Sequence, residues 1–148
     1  MGNLKQRLIK PGTDFNYAEG VKVKNASTSV AIAADTVVFV NGYEGPFLKV
    51  TPALAAAETT CNGRLMIAKH EIPADGFGVV LPWKLVTGVA TNNITVGKRV
   101  FLADTGGIRN HATATGTVAR SIGHCLVADA TAGVYLFCGE GAVRDTDT

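Results

Sequence analysis

Hydrophobic and polar positions alternate over short stretches of this chain, and turn residues cut the stretches apart. "VKVKN" at 21–25 alternates cleanly, setting Val21 and Val23 on one side of a strand and Lys22 and Lys24 on the other, so one face of it is wet. Further apolar, β-branched runs follow: "SVAIA" at 29–33, "TVVFVN" at 36–41, "PFLKV" at 46–50, "RLMIAK" at 64–69 and "GVVLPW" at 78–83. The later ones are "KLVTGVA" at 84–90, "KRVFLAD" at 98–104, "VARSIGHCLV" at 118–127 and "GVYLFC" at 133–138. Their even spacing with turn signals between them predicts a barrel or a sandwich. Gly88, inside a strand pattern, predicts a bulge or tight bend. "PADG" at 73–76 and "DTGG" at 104–107 are turn chemistry, and "ATATGT" at 112–117 is a loop.

The one helix candidate is "TPALAAAETT" at 51–60, with Thr51 as cap and Pro52 at the first helical position. It is about two turns long and needs packing to persist. Near the C-terminus, "SIGHCLVADATAGVYLFCGEG" at 121–141 predicts a hairpin with "ADATAG" as its turn. Pairing Val127 with Val134 then sets Cys125 opposite Leu136. The expected architecture is all-β: a single small β-barrel or β-sandwich-like domain over 13–144, with at most one or two short helices. An extended N-terminal arm covers 1–12, and "RDTDT" at the end predicts fraying, with a disordered tail over 145–148.

Size and composition sharpen this picture. At 148 residues the chain favours one domain. Such a chain buries roughly 68–70% of its unfolded surface and needs no staple. Hydrophobic residues make up 47% and charged residues only 18%, which is sparse charge for a small free monomer and points to surface buried against partners. The net charge of +2 does not by itself imply nucleic acid, which is not expected as a partner. "MGNLKQRLIKPG" lacks the apolar core of a signal peptide, and no run approaches the ~20 apolar residues of a membrane helix. Gln6 stands where a myristoylation motif wants Ser or Thr. The three cysteines, Cys61, Cys125 and Cys138, show no CxxC spacing, so reduced thiols made in a cytoplasm are expected.

The candidate chemistry is thin. His124 and Cys125 are adjacent, and on a strand neighbours point to opposite faces, so they cannot form a nucleophile–base pair. A dyad of Cys125 with His70 or His111 stays open from sequence. The simpler reading makes Cys125 a small core residue. Cys125 and Cys138 form a diagonal pair, beyond the ~7 Å Cα separation a disulfide allows. The histidines and cysteines lack the close ligand pairing of structural zinc. "DGFG" and "GEG" match neither a phosphate loop nor a dinucleotide fingerprint. No catalytic residue, metal or cofactor is expected. Trp83, after Pro82, is either core or an interface anchor. In the arm, Leu4, Leu8 and Ile9 interleave with Lys5, Arg7 and Lys10, which makes it a docking segment, a phosphate-binding segment or a solvated tail.

The segment "VGKRVFLADTGGIRN" resembles the G-D-x-V-Y-x-D-x-x-G-G-V-T hairpin of a family of small tailed-phage head proteins, the capsid decoration or cement proteins. "ARSIGHCLVADATAGVYLFCGEG" resembles that family's closing hairpin and the G-I-L-x-x-A-A-D segment of lambda-type head-decoration proteins. The positions that carry the resemblance are Gly97, Val100, Phe101, Asp104, Gly106, Gly107, Ile108, Ile122, Gly123, Ala128, Val134 and Leu136. It covers residues 63–141; residues 13–62 depart from it and look like an insertion or a longer first half. The resemblance implies a homotrimer on the outer capsid surface of the virion, made in the bacterial host cytoplasm, with the major capsid protein as partner. On that basis Leu4, Lys5, Arg7, Leu8, Ile9 and Lys10 are the expected capsid-binding residues, and Pro82 and Trp83 the expected subunit contacts. The rivals are a DNA-binding or recombination-associated phage protein and, behind it, a Cys-dependent enzyme.

Overall fold

A computed structural model describes residues 20–110, 118–139 and 143–145. Strands β1 (Val21–Asn25), β2 (Val37–Glu44), β3 (Phe47–Pro52), β4 (Leu65–Ala68) and β5 (Phe77–Leu81) close into a barrel in the order β1-β3-β2-β4-β5. β1 closes it, running parallel to β3 and antiparallel to β5. The remaining strands, β6 (Trp83–Val89), β7 (Arg99–Leu102), β8 (Ile108–Arg109), β9 (Val118–Val127) and β10 (Gly133–Cys138), form an open sheet in the order β6-β10-β9-β7-β8. β11 (Val143–Asp145) pairs with the first three residues of β9. The all-β expectation holds. Of the segment 13–62, expected as an insertion or a longer first half, the described residues supply β1, β2 and β3, three of the barrel's five strands, so they are part of the barrel and not an insertion on a finished one.

Two apolar cores account for the arrangement. Val23, Val38, Val50, Met66, Ala68 and Val80 fill the barrel with Ile32 and Ile72. Val37, Leu65, Ile67 and Leu81 turn the other way and pack with Val86, Val100, Leu102, Ile122, Cys125, Tyr135 and Phe137 of the sheet. Each barrel strand that faces the sheet thus alternates between cores. All four residues of β4 are buried. Asn25 is buried at one end of the barrel, where its amide nitrogen donates to the carbonyls of Val30 (2.8 Å), Pro73 (3.2 Å) and Ile72 (3.3 Å), and its oxygen accepts from Ser27 N–H (2.9 Å).

The expected strands at 21–25, 118–127 and 133–138 are β1, β9 and β10. Gly88 lies unpaired between Thr87 and Val89, which face Val134 and Gly133, and its φ of +70° suits the expected bulge. Four expectations need correction. The helix at 51–60 does not form: Thr51 and Pro52 finish β3 opposite Phe39 and Val38, and only Glu58–Thr60 makes a short 3-10 turn. Ala53 N–H continues the ladder to Val37 (2.8 Å), and Ala53 and Ala55 are buried in the second core, which outweighs two turns of helix. "SVAIA" is no strand; Ile32 makes one bridge to Ile72 and plugs the barrel. In the closing hairpin, Val127 does face Val134, but a bulge follows, so Cys125 faces Tyr135 and His124 faces Leu136. Arg144 and Asp145, expected to fray, belong to β11, while β8 pairs with β7 across the turn expected at 104–107. The expected arm at 1–12, the expected loop at 112–117 and residues 146–148 lie outside the described residues.

Because β4 serves both cores, Met66→Ala and Ile67→Ala empty different cores but strike one strand. Each is expected to destabilise the fold by about 2–5 kcal/mol. Chemical denaturation followed by far-UV circular dichroism should show one cooperative transition moved to lower denaturant in both cases. Two separated transitions would mean that barrel and sheet fold apart.

Candidate functional site

Three places could carry function: the thiols, the outer wall of the barrel and the solvent-facing side of the open sheet. Cys61 and Cys125 are buried and Cys138 is half-buried; all three are free. Burial pushes the Cys61 thiol up, only partly opposed by the nearby Arg120, so it is a poor nucleophile. Cys125 Sγ lies 3.7 Å from the Ile94 carbonyl inside the core, while His124 is exposed on the other side of β9. His70 Nδ1 sits 2.9 Å from the Glu71 carbonyl at the far end of the barrel. Among the described residues no three His, Cys, Asp or Glu side chains gather as a metal site, and no helix is long and apolar enough to cross a membrane.

On the barrel wall, Phe47 and Phe77 meet edge to face at 4.8 Å, with Lys22 Nζ 5.5 and 5.3 Å from their ring centres and Lys24 Nζ 5.9 Å from Phe77. Cations over rings stabilise each other and could stack nucleic-acid bases. Lys24 already has its counter-charges, Glu44 at 2.5 Å and Asp75 at 3.2 Å. The Glu44 carboxyl is held below 4.5 by its bond to Lys24. This wall therefore largely satisfies itself.

The outer side of the sheet differs. Tyr135 and Phe137 point inward and are buried, which turns Val134, Leu136 and Cys138 outward. Beside them on β6 stand Trp83, 57% exposed, and Leu85, 52% exposed. The bulge in the β9–β10 hairpin turns Leu126 and Val127 to solvent, each 45% exposed. These seven residues adjoin across β6, β10 and β9 and make one apolar face instead of scattered exposure. Pro82 is buried with its carbonyl accepting from Gly139 N–H (3.3 Å), so Trp83 is the exposed member of the expected contact pair. Leu85, Leu126, Val127 and Leu136 were not singled out from sequence as contact residues. Part of their signal was there: Cys125, Leu126 and Val127 at the end of β9, and Leu85 and Val86 in β6, are apolar at both parities, the pattern of a strand covered on two sides. The expected arm residues, Leu4 to Lys10, lie outside the described residues.

No protein-family model, no curated protein and no solved structure matches this chain.

Two outcomes follow for titrations. One thiol per chain, Cys138, should react with a disulfide reagent in the native protein and three in denaturant; Cys125→Ala should lower stability by about 1–2 kcal/mol without altering association. Glu44 has a depressed folded-state value, so the stability it contributes is present above 4.5 and lost as pH falls through the lower folded value. Glu44→Gln should therefore flatten the acid side of a stability-against-pH curve measured by denaturation.

Proposed function

We propose that the protein is a structural virion component, a decoration or cement protein that binds the outer surface of a tailed-phage head as a homotrimer and stabilises it. The observation that carries this reading is the apolar outer face of the open sheet around Trp83 and Leu85, a surface suited to burial against other subunits. The resemblance of the 97–108 and 119–141 hairpins to those of the decoration family supports it. The chemistry required is modest: contacts repeated around a symmetric particle multiply weak affinities, so no single contact has to be strong. Leu4, Lys5, Arg7, Leu8, Ile9 and Lys10 attach to the major capsid protein by adding an extended segment to an exposed sheet edge.

The second reading, a DNA-binding phage protein, draws on the lysines around Phe47 and Phe77. The carboxylates on Lys24 weigh against it, as does the small net charge.

Mixing the protein with undecorated heads and sedimenting them tests the proposal. Expected are saturable co-sedimentation, heads more resistant to heat, and a free protein heavier than a 15.4 kDa monomer. Removing residues 2–10 should leave the oligomer intact and weaken head binding. A protein that ignores heads but shifts DNA on a gel at both low and moderate salt would favour the second reading.

A further inference from the structure

The outer face of the sheet has a chemical direction. In register across the strands, Leu85 of β6 lies beside Leu136 of β10, Leu136 beside His124 of β9, and His124 beside Arg99 of β7. The face is thus aliphatic on one side and basic on the other. None of β6, β7, β9 and β10 contains an Asp or Glu. Among the described residues no carboxylate is paired with Arg99 or His124.

That pattern discriminates between occupants. The same face of a second copy is equally free of acid, so laying two such faces together would bury Arg99 without a counter-charge, which is costly. A nucleic acid would satisfy the basic side. Its other contribution, stacking of bases, needs rings, and the apolar side offers Leu85, Leu126, Leu136 and Val127 with one ring, Trp83. A protein surface with apolar side chains in one half and carboxylates in the other satisfies both sides.

We propose that the outer face of the open sheet docks such a surface, apolar opposite β6 and β10 and carboxylate-bearing opposite β7 and β9. Resting on the decoration reading, that surface belongs to the head. The acidic half sets the orientation and speeds the encounter, while the apolar half supplies affinity.

Trp83 is the only tryptophan in the chain and stands on this face, so its emission reports occupancy directly. The probes are a synthetic strand peptide alternating Leu and Glu, its Leu and Lys counterpart, an oligothymidylate, and heads. The Glu peptide is expected to move Trp83 emission to the blue in a saturable way and to bind about tenfold more tightly than the Lys peptide, with the preference fading in salt. Arg99→Glu, at an exposed position, should reverse the order of the two peptides and weaken head binding, while sedimentation of the free protein stays unchanged. Leu85→Lys should weaken binding of both peptides. The proposal is overturned if the Lys peptide or the oligothymidylate binds as well as the Glu peptide. It is equally overturned if Arg99→Glu leaves the order unchanged or acts by dissociating the oligomer. If the Glu peptide behaves as expected while wild-type protein ignores heads, the docking surface stands and the decoration reading falls.

Discussion

Everything in this molecule leans on β4, a strand of four residues that is buried on both sides. Met66 and Ala68 point into the barrel, and Leu65 and Ile67 point into the core shared with the sheet. A strand with no wet face has one register that works, because sliding it by a residue exchanges the two sets and misfits both cores at once. Its neighbours inherit that constraint. Val37 and Val38 on β2, and Leu81 and Val80 on β5, divide between the same two cores in the same alternation. The barrel and the sheet are therefore one packing problem with a common wall.

The joint is locked by polar contacts and close approaches as well as by apolar burial. Lys84 on β6 pairs with Asp35 in the barrel's loop. Arg120, buried on β9, donates to the carbonyls of Gly63 (2.7 Å) and Gly139 (3.2 Å), so one guanidinium ties the approach to β4 to the end of β10. Removal from water pushes its proton affinity down, yet an arginine stays charged, and the two carbonyls replace part of the lost hydration. At Gly139 a Cβ would collide with the Leu65 carbonyl, so glycine is what lets β10 reach the wall. On the far side, Thr91 donates to the Val127 carbonyl (2.6 Å) and fastens the loop after β6 to the closing hairpin.

Much of this was legible in the sequence, and the parts that were not share a cause. Strands whose identity rests on local alternation or β-branched density, β1, β9 and β10, fall where the pattern puts them. The failures lie where a distant partner decides. Residues 51–60 carry respectable helix signals, but β2 offers Ala53 a ladder bond and the second core takes Ala53 and Ala55, neither of which is written in the segment itself. The hairpin register slipped by one because the bulge at Leu126 depends on what β9 meets on both of its edges. For the candidate surface, Trp83 was visible as a rare residue after a proline. The rest of the face was not, since apolar residues at both parities look the same whether the second side is covered by the chain itself or left for a partner.

Which elements can meet a partner follows from the topology. A closed barrel has no unpaired strand edge, because β1 joins β5, and its charged wall supplies its own counter-ions at Lys24. Tyr43 and Leu48 are exposed at the β2–β3 hairpin, but they form a short cross-strand pair and not a field. Among the described residues, the open sheet keeps what the barrel has eliminated: an edge strand, β6, and an uncovered outer face. Its inner side is spent on Tyr135, Phe137 and Val86, so the outer residues contribute nothing to the shared core. Leaving Trp83, Leu85, Leu126 and Val127 in water costs solubility without adding stability to the isolated chain. Burial against a partner is the circumstance in which that arrangement becomes favourable, and in the docking we propose the acid-free strands around it select that partner by charge.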